Sequence, residues 1–265
     1  MSLIQMKDLH FSYTEGEEVL KGLNFELDER SAAIIGQNGA GKTTLSKLLK
    51  GLLRPTQGEI LLNGRNTGGM TVAALAKHIG MVFQNPNDQI FKYEVLDEVM
   101  FGPLQIGMDQ ETAGRNAAEA LELTGLTGME HVNPYDLGLS FRKLVAIASI
   151  ISMGTETIIF DEPTIAQDYA GKERIRQIIG RLRSQGKTVI TITHDMNFVA
   201  DVAERAVVLS GGRILYDGDT KSVFMQKEVL EEAYLEQPDV MKLCGELGYR
   251  ESFLSIDEFV EAKRK

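Results

Sequence analysis

A single cysteine, Cys244, stands in 265 residues, so no internal disulfide is available and a reducing compartment fits. Long apolar runs are missing too. The best is Leu144–Ile151, far short of the roughly 20 residues a helix needs to cross a bilayer. The stretch Met1 to Asp8 lacks the basic start and apolar core of a signal peptide. Positive charge is scarce: 28 Lys and Arg face 38 Asp and Glu, for a net charge of −10. That balance argues against nucleic acid as a partner and against a bare anionic membrane surface. Internal repeats, low-complexity tracts and heptad runs long enough for a coiled coil are absent as well. What remains is ordinary globular composition, 43% hydrophobic and 25% charged. The length suits one large domain, or one domain with an appendage. Any membrane association is therefore expected to go through a partner.

Against these absences one stretch stands out, Gly36-Gln37-Asn38-Gly39-Ala40-Gly41-Lys42-Thr43. It reads G-x-x-x-x-G-K-T, the phosphate-binding loop. Ser31–Ile35 before it is small, apolar and β-branched, as in a buried strand. Thr44–Leu49 after it has helix-forming residues with apolar positions three and four apart. Strand, loop and helix in that order let backbone N–H groups close around phosphate oxygens at a helix N-terminus. Lys42 would reach the β- and γ-phosphates and the Thr43 hydroxyl would bind Mg²⁺.

Met6–Tyr13 and Val19–Leu27 read as antiparallel strands around an acidic turn, and Gly58–Gly64 as a strand ending in a tight turn. Ile79–Phe83 is a strand that stops at Gln84. From about 88 to 155 the pattern is helical, at Val95–Phe101, Glu111–Thr124 and Phe141–Ser152. Thr157–Phe160 is a buried strand running into Asp161-Glu162, a helix covers about Lys172–Gln185, and Thr188–Thr193 runs into His194. Ala206–Leu209 and Arg213–Tyr216 finish the sheet. Beyond about 222 only short helices are expected, at Val223–Leu235, Asp239–Leu247 and Ile256–Lys263. The fold class is α/β, with a mostly parallel sheet covered on both faces. Ligands bind such sheets at the C-terminal ends of the strands, where Gln84, Asp161-Glu162 and His194 all fall. Asp161 would serve the Mg²⁺ shell directly or through water. Glu162 would orient and deprotonate an attacking water, a role worth about 10²–10⁴ in rate. Alone, His194 reads as a structural histidine, and Tyr13 as a half-buried aromatic at a strand end.

Taken together these elements resemble the ATP-binding-cassette (ABC) ATPases over about residues 3 to 222. The resemblance implies a P-loop head with an N-terminal antiparallel β-subdomain, a mostly parallel core sheet and a helical subdomain at about 88–155. It implies a domain at 1–221 and a helical extension at 222–265 that contacts the dimer partner. It also assigns the residues: Tyr13 stacks on adenine, while Gly36, Asn38, Gly39, Ala40, Gly41, Lys42, Thr43 and Thr44 hold the phosphates of ATP. Thr43, Gln84 and Asp161 serve Mg²⁺, Glu162 and His194 act with Lys42 in hydrolysis, and Asp168 is a dimer contact. The stretches Gln84–Phe91 and Asp97–Pro103 look like the heads of energy-coupling-factor transporters, importers of vitamins and transition-metal ions. There Asp88, Gln89, Ile90 and Phe91 would face a transmembrane coupling subunit. Ile90 and Phe91 are open to a second reading, as residues packed under the helical block.

One departure stands out. The family's Leu-Ser-Gly-Gly-Gln signature is Leu137-Gly138-Leu139-Ser140-Phe141 in this chain. Gly138 lacks the hydroxyl that meets a γ-phosphate, Leu139 and Ser140 replace glycines, and Phe141 replaces glutamine. The expected partner is therefore a second ATPase subunit with an intact signature, alongside transmembrane coupling and substrate-binding subunits at the cytoplasmic face of the membrane. No nucleic acid is expected. Competing readings are the ATPase of a conventional ABC transporter, a soluble ABC ATPase outside transport, and a non-hydrolysing regulatory subunit.

Overall fold

The computed structural model describes residues 3–249 and 251–264. Met1, Ser2, Arg250 and Lys265, which the expected spans 1–221 and 222–265 include, lie outside the described residues. In chain order the elements are β1 (Ile4–Ser12), β2 (Glu18–Leu27), β3 (Ala32–Ile35), α1 (Lys42–Leu49), β4 (Gln57–Leu62), β5 (Arg65–Asn66), α2 (Val72–Ala76) and β6 (Ile79–Val82). Three helices follow, α3 (Val95–Gln105), α4 (Gln110–Thr124) and α5 (Leu139–Ile151), and then β7 (Thr157–Asp161), α6 (Tyr169–Ser184), β8 (Thr188–Thr193) and α7 (Met196–Val202). The chain closes with β9 (Arg205–Ser210), β10 (Arg213–Asp219), α8 (Thr220–Phe224), α9 (Lys227–Glu232), α10 (Asp239–Glu246) and α11 (Ile256–Lys263). These form two compact units. One comprises Met1–Leu45, Arg54–Asn66 and Thr191–Lys265; the other comprises Ser46–Leu53 and Thr67–Ile190.

In the first unit the antiparallel sheet runs β2-β1-β4-β5. Ile4 and Met6 of β1 pair with Leu27 and Phe25 on one side and with Leu62 and Ile60 on the other. All six side chains are buried, as strand alternation requires of one face. Strand β3 is buried along its whole length and pairs in parallel with β9, Ile35 facing Val208. Such continuous apolar runs mark strands covered on both faces. Antiparallel β10 lies along β9. The tail contributes to this core: Val223, Phe224, Leu230, Leu235 and Met241 pack with Ile35, Val199 and Val208. The helix expected over Val223–Leu235 is two helices, α8 and α9, separated at Met225-Gln226. That break lets Phe224 and Leu230 enter the same core. Cys244, on α10, is a buried free thiol.

In the second unit β6 and β7 are parallel, Val82 facing Phe160, and α3, α4 and α5 form the helical block. Asp109 caps α4 by accepting from Thr112 N, and Gly125 ends it in the left-handed conformation at φ 72°. Helix α3 runs on to Gln105, past the Gly102-Pro103 pair at which the expected helix stops. Proline has no N–H for the carbonyl four residues back, here Val99 O. The Ser152 hydroxyl donates to that carbonyl at 2.7 Å instead, so the helix continues. Helix α6 begins at Tyr169, earlier than the pattern predicts, because Asp168 caps it through Gly171 N at 2.8 Å.

Candidate functional site

The glycine loop connects β3 to α1 in the first unit, the strand-loop-helix order that the sequence predicts. Two of its glycines are fixed by different constraints. A Cβ on Gly36 would lie 2.2 Å from Leu209 O, so only hydrogen fits there. Gly39 has open space around it but sits at φ +85°, a backbone region that an L side chain disfavours. Lys42 curls over the loop and donates to Gly36 O at 2.7 Å and to Gln37 O at 3.2 Å. It is thereby held at the N-terminus of α1, where backbone N–H groups and the helix dipole favour an anion. Thr43 is exposed and Thr44 buried. The Tyr13 hydroxyl lies 3.3 Å from Thr44 Oγ1, and its ring packs edge-on against Phe11 at 4.8 Å. Tyr13 is 56% exposed, so one end of the ring is anchored and its face is open to stacking. His194 follows β8 and is exposed. Asp195 beside it caps α7 through Phe198 N.

The remaining candidates lie in the second unit. Asp161 ends β7, and Ser46 Oγ donates to its Oδ2 at 3.4 Å. Glu162 is buried and has φ +43°, a conformation that costs a non-glycine residue of order 1–3 kcal/mol and clusters at functional sites. Ala166, four residues on, is also left-handed at φ +59°. Gln84 is exposed at the end of the β6 strand. Its carbonyl and that of Phe83 accept from Lys143 Nζ at 2.6 and 2.9 Å. Lys143 is 1% exposed. Burial pushes its pKa down to about 8, against the pull of Asp161 and Glu162. Motif reading passes over this lysine. Its signal is the 3.6-residue period, which places position 143 on the face of Ile147 and Ile150 rather than on a solvated one.

The stretch in place of the signature starts α5. Gly138 is the N-cap and has no side chain to cap with. Leu139 and Phe141 are exposed, and Arg174 stacks over the Phe141 ring at 5.9 Å. The Ser140 hydroxyl donates to Gln167 Oε1 at 2.5 Å. Asp168 itself is exposed, with one oxygen committed to the cap of α6.

The four residues expected to face a membrane partner separate into two kinds. Ile90 is 2% exposed, and Gln89 points inward: it accepts from Phe83 N at 2.9 Å and donates to Ala146 O at 2.8 Å. Ile90 does not belong to an outer surface of the unit, and Gln89 is half-buried with its amide committed. The apolar side chain fills the core, and the amide satisfies backbone groups that burial would otherwise orphan. Asp88 is exposed and Phe91 is 51% exposed. The Phe91 ring packs edge-on against Phe101 at 4.7 Å, with the Lys92 ammonium over it.

Comparison with known proteins gives the chain its relatives. The ABC transporter family matches residues 20–165. The energy-coupling factor transporter ATP-binding protein EcfA of Methanocaldococcus jannaschii is 38% identical over 255 residues, spanning 95% of this chain and 91% of that protein. The structure of cbiO1 from Clostridium perfringens, part of the ABC transporter complex cbiONQ, superposes with a TM-score of 0.78 at 30% identity, covering 87% of this chain and 94% of that one. A dimeric ATP-binding cassette in a post-hydrolysis state, bound to ADP and Pi, gives 0.74 at 28% identity over 82% of this chain and 98% of that one. A family match over more than half of the chain, and relatives alike over nearly all of it, lead to one conclusion: this chain belongs to the ABC transporter family and is an ATP-binding, ATP-hydrolysing cassette.

Proposed function

We propose that this cassette drives an energy-coupling-factor type importer for a vitamin or a transition-metal ion, paired with a second cassette whose signature is intact. The observation that carries the reading is the contrast within the chain. The glycine loop is built to hold phosphates, while the start of α5 offers Gly138 without a hydroxyl, an exposed Leu139, and a Ser140 hydroxyl bound to Gln167. In this reading Tyr13 stacks on adenine. The backbone of Gly36–Gly41 and the Lys42 ammonium hold the phosphates of ATP. Glu162 takes the proton of the attacking water, and His194 contacts the γ-phosphate.

Thr43, Gln84 and Asp161 each carry an oxygen of the kind a hard cation takes. Among the described residues no group of three or more His, Cys, Asp or Glu could hold a metal alone. Mg²⁺ needs few protein oxygens, because phosphates and waters complete its shell. When bound, Mg²⁺ neutralises charge developing on the β- and γ-phosphate oxygens. The protein's own work is then positional: Lys42 fixes the phosphates, and Glu162, held by its strained backbone, presents a base that need not reorganise.

No helix among the described residues is long and apolar enough to cross a membrane. Attachment at the cytoplasmic face would run through a transmembrane coupling subunit, with substrate chosen by a separate membrane subunit. Weak donors opposite a transferring phosphoryl group cost about 2.7–4 kcal/mol by analogy with oxyanion-hole deletions, roughly 10²–10³ in rate. One competent site and one slow site are therefore expected in the pair. Lys42→Ala should abolish most of its ATPase activity, whereas the matching change in the partner should remove less. Full, transport-coupled activity from a homodimer of this chain alone refutes the pairing.

A further inference from the structure

Lys143 is the most buried cation of the second unit, and the roles proposed above leave it without a task. A lysine ammonium inside a protein costs several kcal/mol of desolvation unless geometry and hydrogen bonds compensate. Here its hydrogen bonds go to two adjacent main-chain carbonyls, Phe83 O at 2.9 Å and Gln84 O at 2.6 Å. Gln89 takes Phe83 N from the same side and is tied in turn to Ala146 O on α5. Phe83 is thus gripped at both its N–H and its C=O by groups anchored on one helix. Arg142, the neighbour of Lys143, donates to Asn87 Oδ1 at 2.6 Å and to Leu137 O at 3.0 Å. The first turns of α5 therefore hold the 83–87 segment and the signature stretch as one hydrogen-bonded body.

We infer that Lys143 is a positioning residue: it fixes the backbone of Gln84, so that the Gln84 side chain leaves the end of the β6 strand in one direction. This rests on the reading of Gln84 as a Mg²⁺-shell residue. Two structural facts support it, and one electrostatic effect agrees with them. The clamp closes on the carbonyl of Gln84 itself rather than on a distant turn. Gln84 is exposed while its carbonyl is held, so the freedom removed is that of the main chain. Asp161 and Glu162 favour the charged ammonium, against the larger effect of burial. A shorter or apolar side chain leaves two part-buried carbonyls without their donor, and the backbone must move to find others.

The test compares ATP binding to the purified full chain with and without Mg²⁺, by calorimetry, for wild type, Lys143→Met, Lys143→Gln, Gln84→Ala and the Lys143→Met/Gln84→Ala double variant. Mg²⁺ should tighten ATP binding to the wild type. Lys143→Met should reduce that tightening about tenfold, the lower end of the loss seen when an outer partner of a metal ligand is removed. Affinity for ATP without Mg²⁺ should stay within about twofold. Gln84→Ala should lose as much, and the double variant no more than either single change, because Lys143 acts through Gln84. Lys143→Gln keeps donors but has shorter reach and no charge, and should fall between wild type and Lys143→Met. Amide exchange of residues 83–85 should quicken in both Lys143 variants before any nucleotide is added.

Failure of Gln84→Ala to change the Mg²⁺ effect overturns the reading of Gln84. If Gln84→Ala behaves as expected, additive losses in the double variant overturn the role of Lys143. Should Lys143→Met fail to fold, Lys143→Gln decides: wild-type Mg²⁺ dependence together with wild-type exchange at 83–85 overturns the inference.

Discussion

In the role proposed for it, Glu162 acts through its backbone as well as its side chain. Its φ of +43° is tolerated because Asp161 before it is locked at the end of a buried strand. The left-handed step turns the chain toward Thr164, whose carbonyl closes a turn with Gln167 N at 3.2 Å. Glutamine has the same backbone preferences and nearly the same volume, so Glu162→Gln leaves this strain in place and removes only the basic oxygen. Turnover should fall by about 10²–10⁴ while ATP affinity is preserved. Single-turnover hydrolysis of the assembled pair, measured beside equilibrium binding, checks both halves; unchanged turnover removes Glu162 from the mechanism.

At the scale of elements, what the sequence reveals depends on how far apart the interacting residues lie. The glycine loop is legible because its eight residues are contiguous and its flanks, four buried β-branched or small residues and a short amphipathic helix, carry their own periodicities. The strand ends at Gln84, Asp161 and His194 are legible for the same reason. The passage of α3 through Pro103 is not, because the compensating hydroxyl comes from Ser152, in a different helix. The inward turn of Gln89 is equally hidden, since its partners are a carbonyl on α5 and the N–H of Phe83. The burial of Ile90 narrows the surface proposed to face a membrane partner. Asp88 and Phe91 are exposed, and Gln89 and Ile90 hold the segment together. Replacing Asp88 and Phe91 with alanine should uncouple transport from ATPase activity and leave the melting temperature nearly unchanged. Ile90→Ala should instead destabilise the chain by about 2–5 kcal/mol, the usual cost of truncating a buried aliphatic side chain. Normal transport in the Asp88/Phe91 variant, with uptake assayed in vesicles, overturns the assignment.

For the molecule as a whole, the two units share little sequence continuity. The first is assembled from three separate stretches of chain, and its last stretch carries the tail helices whose side chains enter the core with Ile35 and Val208. Because α10 is seated there, the chain carries its own clock. Cys244 is the single thiol and is buried, so a thiol reagent reacts only after that helix has opened. Labelling therefore proceeds at the rate of opening when the reagent is abundant, and in proportion to the open population when it is scarce. No engineered cysteine and no tag are needed. A partner cassette that grips the tail should slow the reaction, and ATP alone, acting on the free chain, should slow it less. Labelling followed by mass spectrometry thus reads how firmly the tail is docked from the natural protein, one sulfur atom at a time.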